Sequence, residues 1–173
     1  IIPIKHFSAK KLSKKEKEIT AFHEAGHAIV ASVLPYADPV HKVSIIARGN
    51  AGGYTLKLPL EERRLQSKKE FIDDIAMSLG GYVAEKMIFG DITTGPSSDL
   101  QMATSLARAM VTRWGMSDLI GPIALSDSPG RVQYGEIPEK ELSETVSTKV
   151  DAEVSRILND GLKSAEVVLS ENK

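Results

Sequence analysis

His23-Glu24-Ala25-Gly26-His27 decides how this chain is read. On an α-helix, residues four apart lie one above the other on a single face, so both imidazoles can reach one metal ion. Glu24 stands about 100° round the helix from His23. Its carboxylate then falls beside the metal, where it can take a proton from a coordinated water. The pattern H-E-x-x-H on a helix therefore reads as two zinc ligands and a general base. Two ordinary helical histidines are the plainer alternative, and the surrounding sequence has to decide between them.

The flanks favour the metal. Ser13 with Glu16 three residues on forms a capping box, which starts a helix at Lys14. Ile19, Phe22, Gly26, Val30, Val33 and Leu34 recur at three- and four-residue steps, giving an apolar face on which His23 and His27 also lie. Pro35 ends the pattern. Histidines on a buried stripe need polar partners, and a metal supplies them. Gly26 weakens the helix by about 1 kcal/mol, a cost that close approach of another segment would explain.

The 173 residues make one domain of ordinary size, long enough to bury a core. Basic and acidic residues, 22 and 23, nearly cancel to a formal charge of −1, so no nucleic-acid partner is expected. The lysines at 5, 10, 11, 14, 15 and 17 read as a solvated face. Without cysteine there are no disulfides and no thiolate metal sites; a reducing compartment fits. No apolar run approaches the roughly 18 residues that span a bilayer, and no signal peptide is visible. The first residue is Ile1, so a piece of a longer protein is expected.

Residues 1–12 read as an irregular basic lead-in. Val40 to Ile46 and Tyr54 to Leu58 are β-prone runs joined by a Gly-rich connection ending at Gly53, a hairpin or two neighbouring strands. That connection is not a phosphate loop, because no Gly-Lys-Ser/Thr follows it. Ser67 with Glu70 is a second capping box. It opens an apolar helical stripe of Phe71, Ile72, Ile75, Leu79, Val83 and Met87, with Gly80-Gly81 in its middle, where another backbone is expected to pack close. Ser98 is a candidate N-cap before Asp99, in a helix with Leu100, Ala103, Ala107, Met110, Val111 and Trp114 on its buried side and Gly115 at its end. A last helical stripe runs from about Glu139 through Val150 and Ile157, bent or broken at Asp160-Gly161, then resumes to Leu169. It fits either a subunit contact or the end of the monomer's core. The class is mainly α with a small β element.

Catalytic zinc usually has three protein ligands and one open position. The metzincin extension of the motif needs histidine at residue 33, which is Val33. His6 and His41 are the only other histidines, and His41 stands alone in a β-prone run. Two carboxylates remain as candidates: Glu85 in a helix interior and Asp99 at a helix start. Each has an ordinary role as well. Glu85 can be a solvated helix charge, and Asp99 can stabilise the helix dipole by about 0.3–1 kcal/mol. The residues alone leave both open.

Four stretches occur together and in order: Phe22-His23-Glu24-Ala25-Gly26-His27-Ala28, Leu79-Gly80-Gly81-Tyr82-Val83-Ala84-Glu85, Gly95-Pro96-Ser97-Ser98-Asp99-Leu100-Gln101 and Trp114-Gly115-Met116-Ser117-Asp118. Over roughly residues 10–170 the chain resembles the peptidase domain of the FtsH family, membrane-anchored AAA+ zinc proteases of bacteria and organelles. Matched position by position, the resemblance implies His23, His27 and Asp99 as zinc ligands and Glu24 as the catalytic glutamate. It implies for Glu85 a supporting role near the site. Lys86 stands where many relatives carry another acid, which changes the charge around Glu85.

The expectation is a single helical zinc-metalloprotease domain over residues 1–173 with a small β-hairpin or sheet. It would bind one Zn2+ and act as a zinc metalloendopeptidase on unfolded or membrane-extracted polypeptides. By resemblance, ATP acts only through an ATPase module outside this sequence, the assembly is a homo-hexamer, and the membrane is met through N-terminal segments outside it. The expected place is the cytoplasmic side of the bacterial inner membrane, or an organellar membrane. The run Gly53, Tyr54, Thr55 and Leu56 is the candidate substrate-binding strand, with a fully paired core strand as its alternative. The rival class is a metal-bound scaffold or peptide-binding module without catalysis. Such a scaffold has no use for Glu24, an acid on or near a buried helix face.

Overall fold

A computed structural model describes residues 13–46, 53–58, 64–125 and 143–172. The lead-in at 1–12, His6, most of the Gly-rich connection and the start of the last stripe near Glu139 lie outside the described residues. Helix α1 spans Lys14–Val33, β1 Val40–Ser44, β2 Tyr54–Lys57, α2 Lys68–Ser78, α3 Gly80–Phe89, α4 Ser97–Thr112 and α5 Glu144–Glu171. The class is mainly α with a two-stranded sheet, as the periodicities indicate. Among the described residues, no helix is long and apolar enough to cross a membrane.

Both capping boxes form. The Ser13 hydroxyl accepts from the Glu16 amide while the Glu16 carboxylate accepts from the Ser13 amide, and Ser67 with Glu70 repeats the exchange. These caps fix where α1 and α2 begin. The buried side of α1 is narrower than the apolar stripe implies: His23, Glu24, Gly26, His27, Val30 and Ala31 face inward. Phe22 and Val33 are exposed, and Phe22 makes a T-shaped contact with Phe89 at 5.6 Å between ring centroids.

Two apolar clusters make the core, and α2 and α5 serve both. Phe71 and Ile75 of α2 pack with Ala107, Met110 and Val111 of α4 and with Val150, Val154 and Ile157 of α5. Ala76 and Met77 pack with Val30 of α1, Val83 and Ala84 of α3, and Ala165, Val168 and Leu169 of α5. Fully burying a side chain such as Ile75 or Val83 contributes about 1.5–3 kcal/mol. The last stripe therefore finishes the monomer's own core.

Three local expectations are corrected. The stripe across Gly80-Gly81 is two helices, because α2 ends at Ser78 and α3 restarts after Leu79. Helix α4 starts at Ser97 after Pro96, two residues before Asp99, so Ser98 is inside the helix; Leu100 and Trp114 are exposed, although Trp114 stacks on Phe71 at 4.6 Å. Helix α5 is continuous through Asp160-Gly161. A Cβ at Gly161 would stand 2.8 Å from the Ile75 Cγ2, so this glycine lets α5 cross closely over α2.

Strands β1 and β2 are antiparallel, with Val43 opposite Thr55 and Ser44 opposite Tyr54. The register shifts between Val40 and Lys42, and His41 is exposed at the irregularity. The strands are partly exposed, so β2 is not a core strand.

Candidate metal centre

The close backbone contact expected at both glycine sites is a single contact. A Cβ at Gly80 would stand 2.8 Å from the Gly26 carbonyl oxygen, and a Cβ at Gly26 would run into the Gly80 carbonyl. Helices α1 and α3 thus touch backbone to backbone. A side chain at Gly81 would collide with the His23 ring, which fills the space above it. Three glycines are needed for α3 to seat against the histidine face of α1.

The break at Leu79 also has a use. At the end of α2 the Met77 carbonyl lies 2.8 Å from His27 Nδ1. A helix's last carbonyls lack a partner four residues on, and this one takes the imidazole. His23 Nδ1 lies 2.9 Å from the Glu85 carboxylate, whose other oxygen accepts from the Thr93 amide at 2.8 Å. Glu85 is only 1% exposed. It ties α3 to α1 and to the loop that leads into α4.

Carbonyl and carboxylate oxygens accept hydrogen bonds, so each histidine carries its proton on Nδ1 and a lone pair on Nε2. The two Nε2 atoms lie 3.0 Å apart, and Asp99 Oδ2 lies 3.2 Å from His23 Nε2 and 3.7 Å from His27 Nε2. Three lone-pair atoms therefore converge on one point. A cation suits them: tetrahedral ligands about 2.0–2.2 Å from zinc stand about 3.3–3.6 Å from one another.

Among the described residues, His23, His27 and Asp99 are the group able to hold a metal ion. Asp99 faces the Nε2 side of His23, whereas Glu85 sits behind the ring on its Nδ1 side. Glu24 is buried at 6% exposure, and one of its oxygens accepts from the Thr55 hydroxyl at 2.7 Å. Gly53 is also against it: a Cβ there would stand 2.9 Å from Glu24 Cγ. Tyr54 and Leu56 belong to the same strand. Sequence reasoning missed the Met77 carbonyl, which has no side-chain signature, and the Thr55 contact, which depends on how β2 lies over α1.

A model for Peptidase family M41 matches residues 10–173. The chain belongs to peptidase family M41. It is 48% identical over 164 residues to the ATP-dependent zinc metalloprotease FtsH of Veillonella parvula and 50% identical over 165 residues to FtsH 3 of Petrotoga mobilis. Each match covers 94% of this chain and 26% of the relative. This M41 chain thus spans about a quarter of the length of the curated relatives it matches. The FtsH resemblance read from four motifs and the M41 match agree.

Proposed function

We propose that this chain is a zinc metalloendopeptidase domain, with His23, His27 and Asp99 as the metal ligands and Glu24 as the general base. The observation that carries the reading is the convergence of three lone-pair atoms, with Glu24 adjoining one of the ligands. Zinc held by His23, His27 and Asp99 would supply Lewis acidity, which lowers the pKa of a water to about 7 and stabilises charge on a carbonyl oxygen. Glu24 takes the proton from the water and passes it to the leaving amine. Glu85 and Met77 hold the two imidazoles in the tautomer that leaves Nε2 bare.

The substrate is an extended, unfolded polypeptide lying along β2 at Gly53, Tyr54, Thr55 and Leu56. Main-chain pairing tolerates varied sequences, and β2 already lies against Glu24. From the FtsH resemblance we infer further that the domain works in a homo-hexamer at the cytoplasmic side of a bacterial inner membrane, or at an organellar membrane, with an ATPase module feeding it chains. Extracting a chain from a native fold opposes about 5–15 kcal/mol, work that the hydrolytic site alone does not perform.

The test is Glu24→Gln. The amide fills the same space but takes no proton, so one zinc per chain should remain bound while peptide hydrolysis falls by at least about a hundredfold. Metal content and cleavage are measured on the same sample. Near-normal cleavage by pure, zinc-loaded Glu24→Gln protein removes Glu24 from the mechanism.

A further inference from the structure

We infer that Thr55 is a positioning residue for Glu24, so that β2 holds the base as well as lying beside the substrate. This rests on the reading of Glu24 as general base. Successive side chains of a strand alternate between faces, so Gly53, Thr55 and Lys57 share one. All three meet the helices beneath. Gly53 leaves room for the Glu24 side chain, since a Cβ there would stand 2.9 Å from both Cγ and Oε1. The Thr55 hydroxyl donates to Glu24 Oε2 at 2.7 Å and lies 3.3 Å from the Glu24 main-chain carbonyl. Lys57 pairs with Asp74 of α2, which fastens the far end of the strand.

A glutamate side chain has three rotatable bonds, and a helix excludes one χ1 setting while leaving the others open. The hydroxyl chooses one: it grips Oε2 and leaves Oε1 outside that bond. Thr55 transfers no proton; it donates one charge-assisted hydrogen bond that fixes where the carboxylate stands. Threonine suits the task because its branched Cβ is stiff at χ1, so the hydroxyl stays aimed. A substrate subsite would instead use Thr55 to touch the peptide, and its loss would then appear in KM.

The experiment compares Thr55→Val, which keeps the shape and removes the donor, with Thr55→Ser, which keeps the donor. For an unstructured peptide, zinc-loaded Thr55→Val should lose about ten- to a hundredfold in kcat at unchanged KM, while Thr55→Ser recovers to within about threefold of wild type. Zinc content should be equal in all three. A crystal structure of metal-free Thr55→Val should show the Glu24 carboxylate turned away from its present place, and Thr55→Ser should show it retained. If Thr55→Val folds poorly, Thr55→Ala removes the hydroxyl without adding bulk and carries the same expectation. Wild-type kcat in Thr55→Val, with Glu24→Gln inactive, overturns the role of Thr55 and leaves the peptidase reading intact. A raised KM at unchanged kcat overturns it in favour of a subsite. Near-normal cleavage by Glu24→Gln removes Glu24 from the mechanism, and the role of Thr55 with it.

Discussion

Glu85 and Asp99 both contact His23, yet from opposite sides of its ring. Asp99 meets Nε2 together with His27, and Glu85 meets Nδ1 and the Thr93 amide. The two carboxylates should therefore fail differently. Asp99→Ala removes one of three metal-facing atoms and should weaken zinc binding far more than Glu85→Gln. Loss of a partner behind a ligand typically costs ten- to a hundredfold in metal affinity or activity, which is the range expected for Glu85→Gln. Competition against a chelator of known affinity ranks the two variants. Tighter zinc binding in Asp99→Ala than in Glu85→Gln reverses the assignment. The residues alone left both carboxylates open and the FtsH resemblance chose Asp99, because neither residue type nor spacing says which face of an imidazole a distant side chain will approach.

At the scale of elements, the site depends on how closely α1 and α3 approach. Replacing Gly26 by alanine gains up to about 1 kcal/mol of helix propensity but drives a methyl into the Gly80 carbonyl. Backbone cannot step aside as a flexible side chain can, so overpacking of about 1–3 kcal/mol or more should win. Gly26→Ala should unfold at lower urea concentration than wild type and bind zinc more weakly, because the His23 and Glu85 contact shifts with α3. Higher stability with intact zinc affinity would show that the helices have slack. The expectation of close packing at Gly26 and at Gly80-Gly81 was legible from helix propensity alone, since a glycine at mid-helix is unfavourable without a neighbour. Helix starts at Lys14 and Lys68 were legible for a similar reason: a capping box is local chemistry. The break at Leu79 and the unbroken course of α5 past Gly161 were not. Glycine weakens a helix at either place, and the packed partner decides whether the chain breaks or runs on.

Across the whole molecule, the segment after α4 is bound to α5 through one buried carboxylate. Glu153 accepts from the Ser117 hydroxyl at 2.9 Å and from Arg156 Nε and Nη2 at 2.8 Å each, while Ser117 Oγ accepts from the Ile120 amide at 3.1 Å. The motif Trp114-Gly115-Met116-Ser117-Asp118 is thereby joined to the helix that unites both core clusters. Arg156 is the largest influence lowering the Glu153 pKa below its ordinary 4.5, with burial opposing and Ser117 assisting. A lowered carboxylate pKa means that the folded state binds fewer protons than the unfolded one near that pH. The stabilisation is then fully present above about 4.5 and is lost as pH falls through the lower folded value. Arg156 is half exposed, so solvent screening reduces what the ion pair contributes. Glu153→Gln should cost about 1–3 kcal/mol at neutral pH, most of it from hydrogen bonds to a charged acceptor. Urea midpoints taken from neutral pH down to about pH 3 should show the gap between wild type and variant closing below about pH 4.5. A gap that stays constant over that range assigns the loss to shape and neutral hydrogen bonding, and removes the ionised carboxylate from the account of how this segment is held.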